Sequence, residues 1–361
     1  MNSVERILTA IRGGTPDKVP FAFGYIHPKI REGILGETIP DEHHYKVNWS
    51  PTFLPGEWCT TLEPDESTDV RVARKLGLDA LGFQLLTPVM PRLELTAAGT
   101  YALKGGGVLT PETLSAWKQG LPDLDDPALY REGEAFVQRY RGEFALFCRI
   151  RLGFSPTLIS MGQQACQGYV KSDPDFVKEV VSTYGQWMKK HIRNLMGLGF
   201  DFLWSFDDLA DRSGPFFTSK ELQDIFIPAL LPAAQEIKTP WIFHSDGNLF
   251  PVLDDLMTLG MSGLHPLEPG AMDLKLLKRE YGKKLCLVGN IDIKHTMTDA
   301  TDEEIRQCID TCMDTLAHDG SYIISDSNSV PASVNPDNIV KISEYIQKAR
   351  CVYAANGYTQ Q

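Results

Sequence analysis

The sequence lacks an excess of positive charge. Its 361 residues include 35 Lys and Arg against 47 Asp and Glu, which gives a net charge of -12 at pH 7. Binding to nucleic acid or to an anionic membrane surface needs a basic surface, so we expect neither partner. The chain also contains no run of 18 uninterrupted apolar residues, and we therefore expect no transmembrane helix.

Paired-cysteine and nucleotide-binding motifs are missing as well. The 7 cysteines are scattered, and no two of them form a CxxC pair. Because the N-terminus also lacks a signal-peptide pattern, we expect reduced thiols and a cytoplasmic location. Neither GxGxxG nor GxxxxGK(S/T) occurs, which argues against a doubly wound nucleotide-binding sheet.

The chain does contain short apolar runs that end in polar residues. Near-continuous apolar runs of this length are typical of strands buried on both faces. Helical patterns separate most of the runs, and Thr301 with Glu304 predicts a capping box at the start of one helix. The eight runs lie at 19–25, 78–86, 144–153, 201–208, 240–247, 263–269, 285–292 and 321–328.

Alternation of strands and helices predicts an α/β fold with a parallel sheet. Eight such units fit a (β/α)8 TIM barrel, and we expect residues 1–361 to form a single barrel domain. The stretch 27–75 is polar and rich in Pro, Trp and His, which predicts an N-terminal loop and helix extension over the barrel mouth. Alternating residues in 87–110 predict a small β excursion.

Polar side chains are dense at the predicted strand ends, which meet at one face of a parallel barrel. The fourth run ends in Asp207 and Asp208, and the sixth carries His265 and Glu268. Polar residues follow strands in any α/β protein as caps and turns, and His265 is equally compatible with a packed core histidine. We predict five catalytic residues at these ends: Asp207, Asp208, His244, Asp246 and Glu268.

The segment His244-Ser-Asp246-Gly247 gives the strongest local signal. Residues two apart on a strand point to the same side, so the imidazole and the carboxylate face one cavity together. Such a pair either handles a proton or binds a metal ion. Glu268 on the next strand is a candidate third ligand, so the predicted metal ligands, with zinc as the candidate ion, are His244, Asp246 and Glu268.

Further residues are predicted to contact a small-molecule substrate. Trp204 and Phe154 are candidates for an apolar wall against an aromatic substrate, although both are equally compatible with core packing. Arg149 lies in the third run, Asn290 at the end of the seventh and Asn328 at the end of the eighth. We predict all five as substrate-binding residues.

Three blocks of the sequence resemble a known superfamily, the uroporphyrinogen decarboxylases and the related corrinoid (cobalamin) methyltransferases. The blocks are VERILTAIRGGTPDKVPF, the segment from FHSDGNLFPVLDD to LVGNID, and GSYIISDSNSVPASVNPDNI. The second block resembles the methyltransferase-like branch. The resemblance covers most of the chain, is weakest across 27–145, and implies a (β/α)8 barrel, in agreement with the eight runs.

The resemblance also implies ligands, from which this sequence departs. In the zinc thiol methyltransferases a His-x-Cys pair and a later cysteine hold the metal. The matching positions here are His244, Asp246 and Asn328, so a metal would be held by nitrogen and oxygen. The decarboxylases carry an Arg-rich loop after the first strand, where this chain has GYIHPKIREG.

These observations leave three hypotheses. The first is a corrinoid-dependent methyltransferase acting on a small O- or N-methylated substrate, with metal or general-acid activation. Its corrinoid would be carried by a partner protein, because no DxHxxG carrier signature occurs in the chain. The second is a uroporphyrinogen decarboxylase-type carboxy-lyase, in which Arg149, Arg151 and Arg212 would hold carboxylates. The third is a barrel that binds a ligand without turnover. A homodimer is our working expectation for the assembly.

Overall fold

Strands and helices alternate along the described chain. The structure is a computed structural model and describes residues 1–38, 68–84, 89, 93–95, 101–103 and 108–355. The strands are β1 (Ala80–Gln84), β2 (Leu93–Leu95), β3 (Tyr101–Leu103), β4 (Ala145–Ile150), β5 (Phe202–Phe206), β6 (Ala210–Asp211), β7 (Gly214–Pro215), β8 (Trp241–His244), β9 (Gly263–His265), β10 (Cys286–Ile291) and β11 (Tyr322–Asp326).

The helices connect these strands. They are α1 (Ser3–Ile11), α2 (Pro28–Leu35), α3 (Thr68–Leu76), α4 (Leu114–Gln119), α5 (Arg131–Tyr140), α6 (Phe154–Met161), α7 (Gln163–Ser172), α8 (Pro174–Met196), α9 (Ser219–Glu221), α10 (Ile227–Ala234), α11 (Leu253–Met257), α12 (Leu274–Tyr281), α13 (Asp302–Cys312) and α14 (Pro336–Ala355). None of the helices in the described ranges is both long enough and apolar enough to cross a bilayer.

One seven-stranded sheet organises the fold. Its order is β1-β4-β5-β8-β9-β10-β11, and every neighbouring pair is parallel. These strands match seven of the eight predicted runs, which confirms an α/β fold with a parallel sheet. The predicted β excursion is confirmed in part, since β2 and β3 pair antiparallel within 87–110. The rest of the excursion and most of the extension at 27–75 lie outside the described residues.

The first predicted run, 19–25, touches both ends of this sheet. It forms an isolated parallel bridge between Phe21 and Ile324 rather than a continuous strand, and a second such bridge, between Ile26 and Val330, lies just after the run. The N–H of Asp79, one residue before β1, donates to the carbonyl of Phe21 at 2.7 Å. The segment therefore lies between β11 and the start of β1.

The inner face of the sheet is filled by side chains from alternating positions. Phe147, Trp204, Ile242, Val288 and Ile323 come from five different strands and pack together in one cluster. Ile7, Ala10 and Ile11 of α1 belong to the same cluster, so this helix packs against the inner face. The outer face packs against helices in a second cluster that contains most of the remaining apolar residues.

A buried carboxylate ties both ends of the chain to the sheet. Asp79 accepts hydrogen bonds from Nη1 of Arg6 at 2.6 Å and from Nη1 of Arg350 at 2.5 Å. Oδ2 of Asp79 also accepts the backbone N–H of Phe21 at 3.0 Å. All three charged side chains are almost fully buried. The network joins α1, α14 and the segment beside β1.

Candidate functional site

The candidate site lies at the carboxyl ends of neighbouring strands. Phe206, His244 and His265 are the last residues of β5, β8 and β9, and the register pairs Phe206 with His244 and His244 with His265. Asp208 and Asp246 follow two residues after β5 and β8. Parallel strands deliver their carboxyl ends to one edge, which explains why residues distant in sequence meet here.

Asp208, His244 and Asp246 form the central cluster. One potential ligand atom from each lies within 4.8 Å of the others. Nε2 of His244 is 3.4 Å from Oδ1 of Asp208 and 3.8 Å from Oδ1 of Asp246. The backbone also links the two acids, because the N–H of Asp246 donates to Oδ1 of Asp208 at 3.1 Å. The imidazole edge therefore faces two carboxylates.

The cluster shifts the pKa of each of its members. For His244, burial lowers the pKa, but the hydrogen bond to Asp208 and the charges of Asp208, Asp246 and Asp326 outweigh it and raise the pKa above its usual value. For Asp208, burial is opposed by the hydrogen bond and charge of His244, and the pKa falls to about 2. Burial raises the pKa of Asp246 to about 6, with the charges of Asp208 and Glu268 adding to it and the charge of His244 opposing it.

The donor set of this cluster fits a divalent cation. Oδ1 of Asp246 is buried and has no hydrogen-bond partner among the described residues. Two carboxylate oxygens and one imidazole nitrogen are ligands that zinc and similar ions accept, and three protein ligands leave a position for water or substrate. The predicted pair His244 and Asp246 is thus brought together, and the third cluster member is Asp208, predicted only as a catalytic residue.

Glu268 does not join the cluster of ligand atoms. Oε1 of Glu268 accepts a hydrogen bond from Nε of Arg212 at 2.7 Å and lies 3.5 Å from Nζ of Lys294. These two cations draw the carboxylate into a surface ion pair. Its charge still reaches the site, since it contributes to the raised pKa of Asp246.

Asp207 points away from its neighbour Asp208 and has a structural role. It is fully buried, and its carboxylate accepts the backbone N–H of Leu152 at 2.6 Å and those of Gly153 and Ser155 at 3.2 Å each. These amides lie at the start of α6 and in the turn before it. Asp207 therefore fixes the connection between β4 and α6 and leaves Asp208 as the carboxylate that faces His244.

Aromatic rings form one wall of the site. Phe206 stacks on His244 with ring centroids 4.7 Å apart, and Trp204 meets His265 edge-on at 4.8 Å. Trp204 is fully buried, whereas Phe206 is partly exposed. Phe154 is instead packed against Phe226 on the helical side of the sheet, outside the site.

The three polar residues predicted to bind substrate differ in position. Asn328 donates through Nδ2 to Oδ2 of Asp246, so it supports the central cluster directly. Asn290 is buried and donates to the carbonyl of Leu267 at 3.1 Å. Arg149 is 8% exposed on the inner face, with its guanidinium 5.6 Å from the ring centroid of Tyr25.

The imidazole of His265 lies behind that of His244, and His265 was not among the predicted site residues. Nδ1 of His265 is 2.6 Å from Nδ1 of His244, and both rings are buried. On its other side, Nε2 of His265 is 3.9 Å from Oδ1 of the buried Asp326. Its place at the end of the strand after His244 was a signal in the sequence, but the pairing depends on the register of β8 and β9.

Comparison with known families places this site in context. The sequence model described as uroporphyrinogen decarboxylase (URO-D) matches residues 158–349, which is more than half of the chain. The chain therefore belongs to the uroporphyrinogen decarboxylase family, and the superfamily predicted from the sequence is confirmed. The matched residues include β5, β8, β9, β10 and β11, which carry the cluster and both histidines. No curated protein matches the chain by sequence.

A solved structure shares the overall fold of this chain. A methyltransferase from Methanosarcina mazei is similar over 97% of this chain and 99% of its own, with a TM-score of 0.69 and 13% identity. A B12-independent methionine synthase from Shewanella sp. W3-18-1 is similar over 61% of this chain and 67% of its own, with a TM-score of 0.42 and 12% identity. The likeness to the Methanosarcina mazei structure supports the overall fold.

Proposed function

We propose that this protein is a methyltransferase that removes a methyl group from a small O- or N-methylated substrate. The observation that carries the proposal is the cluster of Asp208, His244 and Asp246 at the strand ends, with Phe206 beside it. The fold is shared with a methyltransferase from Methanosarcina mazei over nearly the whole chain, which supports the same reaction class. The acceptor that we propose is a corrinoid carried by a separate protein.

The chemistry of demethylation explains why such a cluster is useful. The methyl group leaves as a cation equivalent and forms a bond to the acceptor, so the substrate oxygen or nitrogen keeps the electron pair of the broken bond. That atom then needs a proton or a Lewis acid. A divalent ion, when bound by Asp208, His244 and Asp246, would supply Lewis acidity there.

The residues themselves provide positioning and a proton. Asp246 holds a proton below about pH 6, and Oδ1 would donate it to the leaving atom when no ion is bound. Asn328 donates to Oδ2 of the same carboxylate and so orients Oδ1 toward the cluster. Phe206, stacked on His244, would pack against an aromatic or methyl-bearing substrate and limit the access of water.

The barrel architecture is part of the same proposal. We infer that residues 1–361 form one domain in which the segment 19–23 serves as the eighth strand and closes the sheet. The bridge between Phe21 and Ile324 and the hydrogen bond from Asp79 to Phe21 support closure, because they link this segment to both edge strands. A closed ring gives the cluster the inner cavity that a small substrate requires.

Methyl transfer to a defined acceptor tests the proposal. The zinc-loaded protein is mixed with methoxyarenes or methylamines and with free cob(I)alamin as the probe acceptor, and methylcobalamin formation is followed by absorbance. We expect transfer with at least one substrate, and its loss in His244→Ala but not in His295→Ala, an exposed histidine outside the site. Transfer that is equal in both variants, or absent with every substrate and with corrinoid carrier proteins, contradicts the proposal.

A carboxy-lyase of the uroporphyrinogen decarboxylase type is a second candidate. One observation favours it: the buried guanidinium of Arg149 lies on the inner face beside Tyr25, where it could hold a substrate carboxylate. Incubation with uroporphyrinogen, with carbon dioxide release as the readout, separates the two candidates. Release that depends on Arg149 and not on His244 would replace the methyltransferase proposal.

A further inference from the structure

The buried rings of His244 and His265 and the carboxylate of Asp326 form a line that begins at the candidate metal ligand His244. Nδ1 of His244 lies 2.6 Å from Nδ1 of His265, a distance that requires a hydrogen bond between the rings. Nε2 of His265 faces Oδ1 of Asp326 at 3.9 Å. His265 and Asp326 are both fully buried, so water does not compete freely for these contacts.

Hydrogen-bond counting gives this line one direction. A metal ion bound by His244 needs the lone pair of Nε2, so the ring carries its proton on Nδ1 and donates it. His265 must then accept with Nδ1, which places its own proton on Nε2. That proton points at Asp326, the charge that stabilises it best. The opposite arrangement would put the proton of His244 on Nε2 and block the metal position.

Other contacts hold the outer members of the line in place. The ring of His265 meets the buried Trp204 edge-on, with centroids 4.8 Å apart. Oδ1 of Asp326 accepts the hydroxyl of Ser325 at 2.9 Å, which fixes the carboxylate. Oδ2 of Asp326 has no hydrogen-bond partner among the described residues, and neither does Nε2 of His265. Nε2 of His265 is therefore left for the carboxylate of Asp326, whose Oδ1 lies 3.9 Å away, or for a bridging water.

We propose that His265 and Asp326 are positioning residues, which set the proton of the His244 ring on Nδ1 and so present Nε2 to a divalent cation. The proposal rests on the metal site in the proposed function. It deepens that function by adding two residues that touch neither the ion nor the substrate. Partners of this kind typically change metal affinity 10- to 100-fold.

Zinc affinity measured against a competing chromophoric chelator is the first test. We expect His265→Leu, which removes the acceptor, to weaken zinc binding about 10- to 100-fold. His265→Asn places an amide oxygen near the position of Nδ1, and we expect it to restore most of the affinity. Asp326→Asn should weaken binding about tenfold, because a neutral amide stabilises the proton on His265 less well.

A matched control separates positioning from general loss of packing. His191 is also buried, but it lies on α8, hydrogen-bonded to Tyr130 and stacked on Trp187. We expect His191→Leu to lower the unfolding temperature and leave zinc affinity unchanged. Zinc affinity of His265→Leu equal to that of the wild type, or reduced no more than in His191→Leu, overturns the proposal.

Nuclear magnetic resonance of the wild-type protein provides a test that needs no variant to fold. In zinc-loaded protein with ¹⁵N-labelled histidine, long-range proton–nitrogen couplings distinguish the two tautomers of each ring. We expect His244 protonated at Nδ1 and His265 at Nε2, and the reverse assignment for His265 overturns the proposal. If the assignment holds and no methyl transfer occurs, the proposed reaction fails while the positioning role stands.

Discussion

The imidazole of His244 and the carboxylate of Asp208 face each other across the ends of two neighbouring strands, with Nε2 3.4 Å from Oδ1. A protonated His244 balances one carboxylate, and Asp246 is a second one within reach. The site therefore carries one negative charge too many whenever Asp246 is ionised. A proton or a metal ion can balance that charge, and the two compete for the same oxygen.

The first prediction concerns the stability of the zinc-free protein as pH changes. Folding raises the pKa of Asp246 from 3.8 to about 6, so the folded chain holds a proton that the unfolded chain has lost. Stability should therefore fall as pH rises from about 4 to about 6, and by about 2 kcal/mol more in the wild type than in Asp246→Asn. In the folded protein His244 stays protonated across this range, because its pKa is raised above the usual value.

Urea unfolding of the chelator-treated proteins checks this difference. Wild type and Asp246→Asn are measured in parallel at several pH values between about 4 and 7, and only the difference between their unfolding free energies is interpreted. A difference that does not change with pH would show that the carboxyl of Asp246 titrates normally. Adding zinc at about pH 7 should stabilise the wild type and have little effect on the variant, since the ion then takes the place of the proton.

The second prediction concerns Asp208 and Glu268, two acids at strand ends that the sequence pattern does not distinguish. Asp208 belongs to the ligand cluster, whereas Glu268 is paired with Arg212 and Lys294. We expect Asp208→Asn to weaken zinc binding at least tenfold and Glu268→Gln to change it by less than about threefold. Chelator competition measures both constants under identical conditions. An equal loss in the two variants would assign Glu268 to the metal ligands.

The third prediction concerns Asp207, whose carboxylate accepts three backbone N–H groups at the start of α6. Asp207→Asn has nearly the same shape but turns one acceptor into a donor facing an amide. We expect a loss of about 2–3 kcal/mol of unfolding free energy, since buried charged hydrogen bonds are costly to break. Zinc affinity per folded molecule should be retained.

A second carboxylate, Asp173, serves as the control for the unfolding free energy lost in Asp207→Asn. Asp173 caps α8 by accepting the N–H of Phe176 at 3.2 Å, and its replacement by Asn keeps a good capping residue. We expect Asp173→Asn to cost less than about 0.5 kcal/mol in the same urea experiment. If the two variants lose the same stability, Asp207 does not have the structural role that its three contacts indicate.

Much of the fold followed from the sequence because apolar runs and caps are local signals. Seven of eight runs became strands of the sheet, and the capping box of Thr301 and Glu304 is present at the start of α13. The remaining run, the first one at 19–25, contributes only an isolated bridge at Phe21 and no continuous strand. Run length in the sequence does not reveal how much of a run will find a partner.

The site was only partly predictable because register and side-chain direction are not local. His244 and Asp246 share a side by alternation alone, and they do meet. Asp207 and Asp208 are adjacent and point to opposite sides, so choosing between them required the position of α6. His265 was visible as a strand end, but its contact with His244 depends on how two strands align.

The last prediction concerns the buried network around Asp79, which holds the two ends of the chain together. Asp79 accepts from Arg6 and Arg350 and from the N–H of Phe21, the residue that also bridges to Ile324. Asp79→Asn leaves two buried guanidinium groups without their anion, and we expect a loss of about 3–5 kcal/mol. Because Phe21 links both edges of the sheet, hydrogen exchange should rise first at the amides of Phe21 and Ala22.

Urea unfolding with exchange measured by mass spectrometry tests this, with the exposed pair Lys341 and Asp302 as the control. Asp302→Asn should cost less than about 1 kcal/mol, as surface ion pairs do, and equal losses at both positions would show that the Asp79 network does not hold the segment in place.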